Sequence, residues 1–179
     1  MSFLRRFLWY IAKRLLALTM VFGGLIIVFY IAMNTANITI LLKDGMALRA
    51  QVVMMQAEES ELTKYFQEGF VAVDTALTVG LSEQSPYARY NITGIDHRLT
   101  LEWMWCWPWD DVAHADFVES VPKIDGRIQS ALRAEAEAQN PASVYPPAWQ
   151  SGRYRATLVR TEGRWKIQSI KLLELLNAP

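Results

Sequence analysis

Between Leu15 and Met33 the chain reads LLALTMVFGGLIIVFYIAM, nineteen residues without a charge. As a helix this run rises about 28 Å, close to the ~30 Å hydrocarbon core of a bilayer. Trp9 and Tyr10 precede it and Tyr30 lies near its end, where interfacial aromatics gather. Two other uses compete. A core helix of a soluble protein rarely runs this long without a charge. A cleaved signal peptide shares the basic flank, but its apolar stretch is usually about 7–15 residues and ends in a small-x-small site. The exit Ile31-Ala32-Met33-Asn34-Thr35-Ala36 offers no clean site. The expectation is an uncleaved transmembrane helix over residues 15–33, crossing once.

Charge sets the expected orientation. Arg5, Arg6, Lys13 and Arg14 lie upstream of the run, whereas downstream Lys43 is balanced by Asp44 and followed by Arg49. The positive-inside rule then makes 1–14 a cytoplasmic basic segment resting on anionic headgroups. Residues 34–43 read as a linker and 44–179 as an extracytoplasmic domain of a single-pass protein of the cell membrane. The lipid bilayer is thus the first expected partner. Four of the 18 basic residues precede the run, which leaves 14 against 18 acidic ones, a net of −4. Nucleic-acid binding calls for the opposite bias, so no nucleic acid is expected. With Cys106 as the one cysteine, neither an internal disulfide nor a cysteine metal cluster can form.

Along the domain, Asn34–Ile40 reads as linker or a short strand, and Asp44 as a helix cap. Met46, Ala47, Ala50, Val53, Met54 and Ala57 recur at helical spacing, which predicts an amphipathic helix. Leu62, Tyr65, Phe66 and Phe70 predict a second one. From Thr93 to Trp107 the period becomes two. Ile95, His97, Leu99, Leu101, Trp103, Trp105 and Trp107 occupy the odd positions, which predicts a long strand with one buried face. A turn at Pro108–Asp111 leads to a strand over Val112–Val121, ended by Pro122. Ile128–Gln139 reads as a helix. Gly152–Arg160 and Arg164–Leu173 form a hairpin around Thr161-Glu162-Gly163, with a bulge near Ser169. The expected fold class is α+β: a curved antiparallel sheet packed on amphipathic helices behind the membrane helix.

Three features together resemble the nuclear-transport-factor-two-like superfamily, which includes ketosteroid isomerases and SnoaL-like proteins. They are the helix pair with Leu62-Thr63-Lys64-Tyr65-Phe66 before Phe70-Val71, the long strand pair, and the terminal hairpin with Gly163, Trp165 and Ile167 in a GxWxI ending. The resemblance covers about residues 44–175 and implies a cone-like packing of helices on the sheet. Membrane-anchored versions are similar to inner-membrane assembly components of bacterial type IV secretion and conjugation machines, whose outer domains serve as scaffolds.

Candidate chemistry is sparse. If the odd face lines a cone, His97 points inward, where a desolvated imidazole can act as acid or base, with Asp96 beside it and Asp116 on the next strand to orient it. His97, His114 and Asp116 would be the only metal set, and strand spacing alone does not assemble three ligands. Trp103, Trp105, Trp107 and Trp109 read either as an aromatic core wall or as an exposed contact for a ligand, partner or lipid. Arg153, Arg155, Arg160 and Arg164 read as a solvated face or as a docking patch for an anionic partner. The sequence has no Gly-rich phosphate loop, HExxH or serine elbow, and no cofactor is implied. The expected role is a non-catalytic interaction or scaffold module with protein partners or self-association. A domain binding a small apolar ligand is the alternative, followed by a His97-dependent enzyme.

Overall fold

The computed structural model describes residues 2–176. Met1 of the expected segment 1–14, and residues 177–179 of the expected domain, lie outside it. The elements run α1 (Ser2–Met55), a 3-10 turn (Glu59–Lys64), α2 (Glu68–Val71), α3 (Thr75–Gly80), β1 (Tyr90–Trp105) and β2 (Val112–Ile128). There follow α4 (Ser130–Gln139), a second 3-10 turn (Pro141–Val144), β3 (Gly152–Thr161) and β4 (Arg164–Leu175). The class is α+β, with one antiparallel sheet in the order β1-β2-β3-β4.

Helix α1 spans 54 residues, about 80 Å. It is long and apolar enough to cross a membrane, and none of its most apolar stretch is buried against the rest of the fold. The linker expected over 34–43 does not form, because the helix runs straight through it. Thr35 and Thr39 turn their hydroxyls back onto the carbonyls of Ile31 and Thr35, at 2.8 and 2.7 Å. Their backbones stay helical because the sheet covers one stripe of this segment: Ile38, Leu42, Met46, Ala50 and Val53 are all buried. Packing of that stripe overrides the weak helix propensity of Asn and Thr. Asp44 is therefore mid-helix rather than a cap. The helix stops after Met55, where Gln56 takes a left-handed φ of 54°.

The second expected helix is also replaced. The Gln67 N–H donates to the Ile167 carbonyl at 2.9 Å, and the Ile167 N–H donates to the Tyr65 carbonyl at 2.8 Å. These bonds make Phe66 a one-residue parallel bridge to β4, and they use backbone groups that a continuous helix would need. Only the 3-10 turn and the four-residue α2 remain on either side. Leu62, Phe66 and Leu77 join Phe117, Leu158, Trp165 and Ile167 in the core against α1. Gly80 lets α3 lie close to α1, since a Cβ there would meet Val53 Cγ1 at 2.8 Å.

Strand β2 runs through Pro122 to Ile128 rather than ending at Val121. The proline is tolerated because β3 covers β2 only from Val112 to Glu119, and the β1–β2 register shifts between Ser120 and Lys123. Pro122 therefore sits at a bulge, where no ladder bond is lost. The last hairpin turns on Glu162 and Gly163, at φ 52° and 76°, the pair of positive values that a two-residue hairpin turn needs. Its bulge falls between Ser169 and Ile167, beside the expected position.

Candidate functional site

The helix-covered face of the sheet carries a buried polar group. His97 Nε2 lies 3.0 Å from Glu119 Oε1. Glu119 is fully buried, and its other oxygen, Oε2, has no partner among the described residues. Arg49 on α1 forks its Nε and Nη2 onto the two carboxylate oxygens of Asp74. Asp74 in turn caps α3 by accepting the Ala76 N–H at 2.9 Å. Burial alone would lower the Arg49 pKa, but the hydrogen bonds and charge of Asp74, with Glu119 and Tyr154 adding, hold it above its ordinary value. Arg49 therefore stays charged inside the fold. Burial, then the charge of Glu119, pushes the Tyr154 hydroxyl up, against a smaller opposite pull from Arg49.

Beside this group opens a cleft of ≈ 840 Å³, lined among others by Arg49, Val53, Phe70, Tyr87, Trp149 and Tyr154. Its walls are mainly apolar, with the Arg49–Asp74 pair supplying fixed charge. The indole Nε1 of Trp149 is buried there without a partner among the described residues. Neither His97 nor Glu119 lines the cleft.

The opposite face holds the tryptophans. Leu101 pairs with Phe117, but Trp103 pairs with Asp116, so Glu102 is an extra residue in β1. One extra residue exchanges the two faces of a strand. Beyond it Met104 and Cys106 turn inward, while Trp103, Trp105, Trp107 and Trp109 are 39% to 66% exposed. The core wall read from strict alternation is thus corrected. Trp105 meets Trp107 edge-on at 5.2 Å, and Trp107 stacks on Trp109 at 5.2 Å.

The set drawn from sequence around His97 is not assembled. Asp116 and His114 lie on the outer face, in the rows of Trp103 and Trp105. Asp116 takes a two-bond fork from Arg155 at 2.6 and 2.7 Å, and that hydrogen bonding lowers its pKa against the smaller opposing effect of burial. His114 Nδ1 faces the Thr157 hydroxyl at 3.4 Å. Asp96 is half-exposed and paired with Arg98. The carboxylate that reaches His97 is Glu119, which sequence reading missed. A signal existed, since Ala113, Ala115, Phe117, Glu119 and Val121 share one parity of β2 and all are buried. Arg49, Asp74 and Tyr154 had no comparable signal, because only the packing of α1 on the sheet brings them together. Among the described residues no three His, Cys, Asp or Glu side chains are grouped to hold a metal ion. No family model matches the chain, and neither a curated protein nor a solved structure matches it.

Proposed function

We propose that the chain is a single-pass membrane protein, N-terminus in the cytoplasm, whose α+β domain on the far side is a non-catalytic interaction module within a larger assembly. One observation carries this reading. The uncharged run of α1 is exposed, and the same helix continues unbroken into the buried stripe from Ile38 to Val53. Apolar surface of that extent with no protein cover is matched by lipid. A continuous helix also holds the domain at a set angle to the membrane, which suits a scaffold better than a flexible tether. At the other end Lys13 Nζ sits 3.6 Å over the Trp9 ring, the pairing of aromatic and cation found at a headgroup layer.

The cone-like, nuclear-transport-factor-two-like packing belongs to the same proposal, as does a likeness to assembly components of secretion machines. Support comes from α1 lying on one face of the antiparallel sheet and from the last hairpin, whose Trp165 and Ile167 are buried. The His97–Glu119 pair is read as a core hydrogen bond, because neither residue borders the cleft.

Glu162→Cys, made in a Cys106→Ser background, tests orientation and role together. A membrane-impermeant maleimide should label it on intact cells, and labelling only after permeabilisation overturns the orientation. A crosslinker carried at the same position should capture a second chain in membranes. If the chain stays a lone monomer under crosslinking, the interaction module fails.

The cleft favours a second reading, a domain that holds a small apolar ligand. Native mass spectrometry of the chain taken from membranes should then show a small-molecule adduct that Ala76→Trp removes. An adduct-free spectrum of the unmodified chain sinks this reading.

A further inference from the structure

We infer that the tip formed by Trp105, Trp107 and Trp109 is a second membrane contact, seated in the headgroup layer of the same bilayer that α1 crosses; this rests on the single-pass reading above. The first ground is position. The backbone N–H of Arg160 donates to the Asp111 carbonyl at 2.8 Å, tying the β1–β2 tip to β3. The Arg160 side chain donates from Nη2 to Asn34 Oδ1 at 3.2 Å. Asn34 is the residue that follows the uncharged run. The tip therefore lies beside the point where α1 leaves its apolar stretch. The far end of α1 agrees, because Met54 and Met55 share a cleft with Ile92 near the start of β1. Helix and strand run antiparallel, and the end of β1 faces the membrane side.

The second ground is chemistry. The three indoles form one contiguous exposed cluster. Tryptophan is the side chain most at home in a headgroup layer, apolar in body with one N–H for a polar neighbour. Charge does not drive the contact. Arg160, Arg164 and Lys166 near the tip are matched in number by Asp110, Asp111 and Glu162. An anionic protein surface or anionic lipid would gain nothing net from it, whereas a zwitterionic interface suits it. Geometry also limits the set. Each two-residue step along a strand retreats roughly 6.6 Å from the tip, and the headgroup layer is about 5–8 Å deep. Trp105, Trp107 and Trp109 reach it, and Trp103 stays above.

The test uses the full chain with Trp9→Phe, reconstituted in phosphatidylcholine vesicles whose acyl chains are brominated near the headgroup. Six tryptophans remain, and on the order of half the emission should be quenched, with Trp105→Gln, Trp107→Gln and Trp109→Gln combined abolishing most of that loss. Trp109→Gln alone, at the most exposed of the three, should remove a measurable part and guards against misfolding of the triple variant. Quenching should be the same when anionic phosphatidylglycerol is mixed in. Equal quenching in the Trp9→Phe parent and both tip variants overturns the contact, as does quenching that appears only with anionic lipid. If instead Trp9 in the unmodified chain is not quenched and the chain fails to float with the vesicles, it is the membrane reading that has failed.

Discussion

Glu119 is a carboxylate in a core, and among the described residues His97 is its one side-chain partner. His97→Ala strands that group and should cost about 2–3 kcal/mol in chemical unfolding of the micelle-bound chain. Adding Glu119→Leu should recover a good part of the loss, since removing both partners leaves no buried polar group unpaired. If both variants unfold at the parental midpoint, the pair contributes nothing to stability. Asp116 offers a pH test. Its folded pKa lies below the ordinary 3.8 because of Arg155. The stability it contributes is thus fully present above the unfolded value and is lost as pH falls through the folded one. Asp116→Asn should flatten the acid limb of an unfolding-versus-pH profile below about pH 4, leaving its shape at neutral pH unchanged. These two carboxylates sit on opposite faces of β2, and parity alone separates their roles.

Among the elements, α1 departs most from its local sequence. Asn34, Thr35, Asn37 and Thr39 are turn-prone and β-branched types, and read alone they mark a linker. The sheet decides otherwise by burying every third or fourth residue from Ile38 onward. Ala36→Pro tests this, because Ala36 is exposed and proline would be harmless in a linker. In the helix it should cost about 3 kcal/mol, read as a lower unfolding midpoint and faster amide exchange through Leu42; an unchanged midpoint contradicts the continuous helix. Strand β1 shows the same lesson in a period of two. Its alternation was legible from Ile95 to Leu101, and one extra residue at Glu102 reversed it for the tryptophans.

For the molecule as a whole, in the proposed single-pass arrangement, an unbroken α1 couples the position of the domain to that of the span. Inserting one alanine between Met33 and Asn34 lifts the domain about 1.5 Å along the helix axis, while inserting four lifts it about 6 Å, close to the depth of the headgroup layer. The domain contacts beyond Asn34 are untouched by either insertion. Unfolding midpoints should therefore stay constant, while lipid quenching of the tryptophan tip should change little with one residue and fall with four. Quenching that four inserted residues leave unchanged would show that span and domain move independently.

The apolar run, the single cysteine, the charge asymmetry, the period-two strands and the Glu162–Gly163 hairpin were all legible in the chain itself. Each depends on covalent neighbours or on a count, and those need no partner to be read. The tertiary structure alone decided that 34–43 is helix, that the tryptophans face outward and that Glu119 rather than Asp116 meets His97. In each case the outcome depends on which surface buries which residue. A single bulged residue changes that assignment without leaving a mark on composition or periodicity, because it is the pairing with the neighbouring strand that places it.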